Sequence, residues 1–196
     1  MFFRFISIFV PITLVIIGWT LLVKGLYIPS TTVSVPGQIS FILTNPLKVI
    51  QISLNTILKD HTGFLVMFVG NLGWVDIPLP NILVYIYIII LTLISIMDKS
   101  KINIILKQRL ISLITFSLIL ISVFAVEFIT WTPVGQSIID GIQGRYFIPT
   151  APLFFLLFFN RNYEHNLKFL NLTVIFFVLL VLIFTLFVLI KRYYIL

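Results

Sequence analysis

Cysteine is absent from the 196 residues, which excludes disulfides, thiolate metal sites and cysteine nucleophiles. Charge is scarce. Asp, Glu, Lys and Arg make up 10% of the chain, against roughly 25% in a soluble globular domain. The two histidines, His61 and His165, lie far apart and neither has a partner at metal-ligand spacing, so both read as membrane-interface residues. No G-x-x-x-x-G-K-S/T loop, H-E-x-x-H pair or G-x-S-x-G elbow occurs. Nucleotide-phosphate, zinc-protease and serine-hydrolase chemistry therefore have no support. The apolar runs also hold no acid, base or carboxylate pair at mid-membrane depth, which argues against proton-coupled or ion-coupled transport.

What the chain has is apolar surface. Hydrophobic residues make up 60% of it and the mean hydropathy is +1.19. A soluble protein of this length has no interior large enough for so many Ile, Leu and Phe, whereas lipid removes the difficulty. The pattern predicts an all-α, multi-pass transmembrane protein, residues 1–196 forming a single transmembrane domain. The net charge of +7 falls between apolar runs and forms no basic stripe. It sets orientation and is no nucleic-acid footprint.

In chain order, Arg4 precedes an apolar run, Phe5 to Val23, long enough to span, and the exit at Lys24-Gly25 lacks a small-residue cleavage site. A retained first helix with a cytoplasmic N-terminus is expected. Leu26 to Ser40, with its Pro36-Gly37 turn signal, suits a short extended segment or hairpin on the outer face. Asn45-Pro46 opens a helix, and Leu47, Ile50, Leu54, Ile57 and Leu58 recur at helical spacing opposite Lys48, Gln51, Asn55 and Lys59. That predicts an amphipathic outer-face helix on the membrane surface, or a helix packed on another domain. Ile82 to Met97 is the second span and Leu110 to Ile129 the third. Between them Lys99, Lys101, Lys107 and Arg109 form the densest basic cluster, placed in the cytoplasm by the positive-inside rule. Phe147 to Phe159 is ambiguous between a short crossing and a re-entrant segment. Leu170 to Ile190 is the last clear span. Counting Phe147 to Phe159 as a crossing gives about five spans, and puts Lys191 and Arg192 outside, against the positive-inside trend.

Two polar islands then share the outer face. Gly70 to Pro80, G-N-L-G-W-V-D-I-P-L-P, supplies Trp74 and Asp76. Trp131 to Pro149 supplies Asp140, Gln143, Arg145 and Tyr146. An arginine beside glycines at a membrane surface suits a phosphate, because its planar fork binds such oxygens bidentately. The alternative is an arginine anchored to ordinary phospholipid headgroups, with Tyr146 and Trp74 as belt aromatics. Glu127, at the outer rim of the third span, can snorkel or pair. Catalytic residues are not assignable and no cofactor site is evident.

The first island, followed by G-I-Q-G-R-Y-F-I-P (Gly141 to Pro149) ahead of a hydrophobic run, resembles the bacterial membrane protein family called domain of unknown function 2142. The likeness runs from about Gly25 onward and matches that family's C-terminal half. The family is similar to the C-type glycosyltransferases, multi-pass enzymes that take sugars from polyprenyl-phosphate donors. The resemblance implies a protein of the bacterial cytoplasmic membrane acting in cell-surface polysaccharide synthesis. It also implies that Arg145, Gln143 and Tyr146 line a donor-phosphate or sugar site with Asp76 at its mouth. Such enzymes carry an acidic motif in the first outer loop, yet Leu26 to Pro46 contains no Asp or Glu. The chain is thus expected to be the C-terminal part of a larger architecture, completed by another membrane polypeptide that would also bring any divalent metal. A non-catalytic membrane subunit or an inactive truncated relic is the alternative. The implied partners are membrane lipids and a polyprenyl-phosphate lipid, with no nucleic acid.

The lack of native cysteine makes the topology directly testable. In intact cells Ser137→Cys should react with a membrane-impermeant thiol reagent and Ser100→Cys should not; the reverse labelling would overturn the orientation.

Overall fold

The apolar runs fold as helices, the only regular structure besides closed barrels that satisfies its own backbone in lipid. The computed structural model describes residues 2–23, 33–97, 104–159 and 168–195. Its helices are α1 (Phe2–Val23), α2 (Val35–Thr44), α3 (Pro46–Val69), α4 (Asn81–Met97), α5 (Leu106–Thr130), α6 (Ala151–Phe155) and α7 (Lys168–Tyr194). A two-stranded hairpin, β1 (Asn71–Leu72) with β2 (Ile77–Pro78), interrupts them, so the fold is nearly all-α. Among the described residues two helices are long and apolar enough to cross a bilayer, Leu106–Thr130 and Leu172–Tyr194. A third is counted if α2 and α3, bent by 108° at their junction, form one broken span. Val10–Val23 and Asn81–Met97 are apolar but shorter.

The region expected to be extended or a hairpin is in part a helix. Residues 24–32 lie outside the described residues, but from Val35 the chain coils. The Ser34 hydroxyl caps the Gly37 N–H at 3.2 Å, and Pro36 occupies the first turn, where its missing N–H costs nothing. The Pro-Gly pair is thus part of a helix start. The start at Pro46 holds, although α3 runs on past Lys59 and absorbs Phe64 to Val69, breaking only at Asp60 (φ −128°, ψ 28°). Its buried stripe is Ile52 and Thr56, and Leu47, Leu54 and Leu58 stay exposed. The leucine face of the amphipathic pattern therefore turns away from the protein.

Phe147 to Phe159 builds no long helix. Gly144–Thr150 is 3-10, Ala151–Phe155 forms one short helix, and turns lead to Phe159. Pro149 and Pro152 remove two backbone donors, which keeps this stretch irregular. It lies antiparallel to α5. Tyr146 shares a cavity with Val123 and Glu127, the Phe154 ring sits 5.4 Å from that of Phe116, and Ser112 Oγ donates to the Leu153 carbonyl at 2.9 Å. At the far end Arg109 donates to the carbonyls of Leu157 (3.0 Å) and Phe159 (2.5 Å). Ser95 of α4 donates to the Phe155 carbonyl. From Glu127 to Arg109 the axis of α5 measures about 27 Å at about 1.5 Å per residue, nearly a hydrocarbon thickness.

The core sits at the C-terminal end of α5. Phe124 and Phe128 meet Ile52 of α3 and two loop residues, Ile139 and Ile142, with Phe41 of α2 packed edge-on against Phe128. Those loop isoleucines peg Trp131 to Gln143 onto the helices. Hydrogen bonds reinforce them, Ile139 N–H to Thr56 Oγ1 at 2.8 Å and Asp140 N–H to Thr132 Oγ1 at 3.1 Å.

Arg109 satisfies two carbonyls at once, each charge-assisted bond being worth about 1.5–3 kcal/mol. Arg109→Ala should lower stability by about 2–4 kcal/mol and speed amide exchange from Leu153 to Phe159; unchanged exchange would show that other donors take over.

Candidate functional site

The two polar islands meet. The turn between β1 and β2 takes Gly73 to φ +64° and Val75 to φ 69°, the latter rare for a β-branched residue. Asp76 holds the turn from inside, its Oδ1 accepting the Trp74 N–H at 2.9 Å. A Cβ on Gly73 would stand 2.5 Å from that same Oδ1, so glycine is required both by the backbone angle and by the space. Arg145 reaches across from the second island, and its Nη1 donates to the Gly73 carbonyl at 3.0 Å. No carboxylate pairs with Arg145 among the described residues, which leaves the rest of its guanidinium fork open.

Arg145 is positioned by Gly144, which starts the 3-10 turn. A Cβ there would lie 1.9 Å from the Phe64 carbonyl oxygen and 2.7 Å from Phe68 N. The backbones of α3 and the second island thus touch, and this contact sets where the arginine emerges. Immediately inward an apolar cavity of about 300 Å³ opens between α3, α4, α5 and α6. Gly144, Phe64, Phe68, Phe124, Phe147 and Phe155 are among its lining residues.

The other anticipated residues disperse. Trp74 keeps its ring 91% exposed on the hairpin tip. Tyr146 turns from the hairpin to the cavity it shares with Glu127. Burial holds its phenol above the ordinary range, the Glu127 charge adds to this and Arg145 opposes it, so Tyr146 remains an O–H donor at neutral pH. The Gln143 Oε1 is buried without a hydrogen-bond partner among the described residues. Asp140 stands apart from Arg145, in a small cavity with Thr56, Lys59 and Asp60.

Two residues not anticipated as part of the site come from α7. Arg192 Nη2 lies 3.5 Å from Asp76 Oδ2, and the Tyr193 hydroxyl would be 3.2 Å from a Cβ on Gly73. The pair with Asp76 is exposed and long, worth little by itself, but it brings a second guanidinium to the hairpin. In the sequence its trace was a basic pair closing the last apolar run, which the expected count of five spans set against the positive-inside trend.

Long apolar helices, an irregular segment running along one of them, and polar loops gathered at one end define an integral membrane protein of the helical class. The chain belongs to the family described as predicted membrane protein (DUF2142), whose model matches residues 2–154. The match begins well before Gly25, takes in both islands and stops before α7. Comparisons with curated proteins and with solved structures return no match.

The Gly144 contact predicts its own test. Gly144→Ala places a methyl against backbone that cannot rotate aside, and overpacking of this kind costs about 1–3 kcal/mol or more. The variant should unfold at lower temperature than wild type; equal stability would mean that α3 and the second island are not in contact.

Proposed function

We propose that this protein is part of a polyprenyl-phosphate-sugar-dependent, glycosyltransferase-like protein of cell-surface polysaccharide synthesis, and that it holds the lipid-linked phosphate at the outer face of the bacterial cytoplasmic membrane. One observation carries the proposal: an arginine with no carboxylate partner among the described residues directly follows Gly144, which lines an apolar cavity. A phosphate joined to a long hydrocarbon chain has those two requirements in that order. Arg145 offers bidentate donors to the phosphate, and the phenylalanine-lined cavity takes chain carbons that would otherwise meet polar loops.

The same proposal includes five crossings with the N-terminus in the cytoplasm. Support comes from the path of residues 144–159 along α5, and from the meeting of the α7 end with the Gly70 to Pro80 hairpin. Four crossings between them, by α4, α5, residues 147–159 and α7, bring those two parts to one side, whereas a re-entrant segment would leave three and separate them. During transfer Arg145, helped by Arg192, would stabilise negative charge as it accumulates on the departing phosphate. Among the described residues no three His, Asp or Glu side chains converge, so these residues offer no divalent-metal donor set.

A second reading, a non-catalytic membrane subunit, is favoured by the state of Asp76. Its two oxygens already serve the Trp74 N–H and Arg192, which leaves this acid a structural task.

Binding separates phosphate recognition from anchoring. Purified protein should bind a polyprenyl phosphate in preference to an ordinary phospholipid, and Arg145→Ala should weaken this about tenfold or more, the loss of one charge-assisted contact, with membrane insertion unchanged. Equal binding by the variant, or indifference of the wild type to the two lipids, would reduce Arg145 to a headgroup anchor.

A further inference from the structure

Among the described residues the fold buries one acid with an oxygen to which nothing donates. Glu127 is the one carboxylate of α5, less than a turn from its end at Thr130, with a relative exposure of 9%. No described residue donates a hydrogen bond to its Oε2. A carboxylate oxygen taken from water without a replacement donor is among the costliest groups a protein can bury. Leucine at this position would pack without that cost, so the acid's presence needs a reason outside folding.

Its surroundings are shaped around it. Gly141 adopts φ +85°, and a Cβ there would lie 2.6 Å from Glu127 Oε2 and 3.1 Å from Trp131 Cβ. The loop leaves out a side chain at the point where the carboxylate sits. Glu127 also lines, with Tyr146 and Ser122, a cavity of about 340 Å³. Tyr146, which lines that cavity, is 38% exposed, and Trp131, beside Gly141 and outside the cavity lining, is 63% exposed. An acceptor-only group flanked by aromatic surface matches a ring that presents hydroxyl donors along its rim and C–H groups on its faces. An ammonium ligand would be the competing choice for a carboxylate, yet Arg145 is the next residue to Tyr146 and repels it.

We propose that Glu127, with Trp131 and Tyr146, binds the hydroxyls of a sugar ring at the outer face. The proposal rests on the reading of Arg145 as the phosphate-binding residue and extends it. Arg145 and Tyr146 are consecutive, so a glycosyl phosphate would straddle them, phosphate toward the hairpin and sugar toward Glu127. The carboxylate is a binding group here, accepting a hydroxyl hydrogen bond, and no bond is made or broken at it.

The test uses short alkyl glycosides, which carry the ring without phosphate. Intact protein in lipid nanodiscs would be titrated with octyl β-glucoside, octyl β-galactoside and octyl α-mannoside below their micellar concentrations, with octanol as the chain-only control and tryptophan fluorescence as the signal. Wild type should bind at least one glycoside saturably and about tenfold or more tighter than octanol, the value of one or two hydrogen bonds to a charged acceptor. Glu127→Leu should lose that preference while unfolding at the same or a higher temperature, because the unpaired oxygen is gone. Wild type that fails to prefer any glycoside over octanol overturns the proposal. So does a Glu127→Leu variant that binds glycoside as wild type does, or one that unfolds at clearly lower temperature, which would make the carboxylate a folding contact. Polyprenyl-phosphate binding is measured alongside. Glu127→Leu should retain it, and its absence from the wild type would reject the phosphate reading of Arg145 while the glycoside result still decides the role of Glu127.

Discussion

Every backbone carbonyl at membrane depth must find a donor, and here the requirement falls on a segment that cannot supply its own. Two prolines in Phe147 to Phe159 prevent an ordinary helix. The missing donors come from side chains of neighbouring helices, Ser95 on α4 with Ser112 and Arg109 on α5. Water would solve this on a soluble surface. In lipid the unpaired alternative costs several kcal/mol for each group, so α4, α5 and the irregular segment hold one another. The cavity beside Arg145 exists because that segment fills the space between the helices incompletely.

At the C-terminal end of α5 the same logic acts through apolar contact. Ile139 and Ile142 carry a polar loop down onto Phe124, Phe128 and Ile52. The pegged loop then presents Gly144 to the backbone of α3 and Arg145 to the hairpin. A site assembled in this way is fixed by packing several residues away from the groups that would touch a ligand. It tolerates a long, exposed pair between Asp76 and Arg192 because that pair is not what holds the loops in place.

Much of this was legible in the amino-acid sequence, for identifiable reasons. Long apolar runs have one stable form in lipid, so α1, α4, α5 and α7 fall within a few residues of their expected ends. The helix at Pro46 followed from a cap residue and proline in order. The helix at Val35 did not, because Pro-Gly after Ser serves equally as a turn and as a helix start, and the choice depends on packing of Phe41 against Phe128. The course of residues 144–159 was hidden for a related reason, since its donors lie roughly forty to sixty positions away in sequence. Within the site, Arg145, Asp76 and Trp74 could be placed on one face by counting charges. That Asp140 stands apart rests on tertiary contacts with no local signature, and the part that α7 plays through Arg192 and Tyr193 left only a basic pair at the end of an apolar run as its hint.

The contact between Asp76 and the end of α7 also bears on the order in which the molecule is made. The hairpin is synthesised early, whereas its partner helix is the last of the described elements to leave the ribosome. Helices that enter a bilayer one after another as they are synthesised would leave the turn at Gly73 facing water until Arg192 and Tyr193 arrive. Completion of that surface then waits for α7, and a chain whose α7 has not yet arrived differs there from one in which it has. A membrane quality-control protease could read that difference without sensing any of the buried helices.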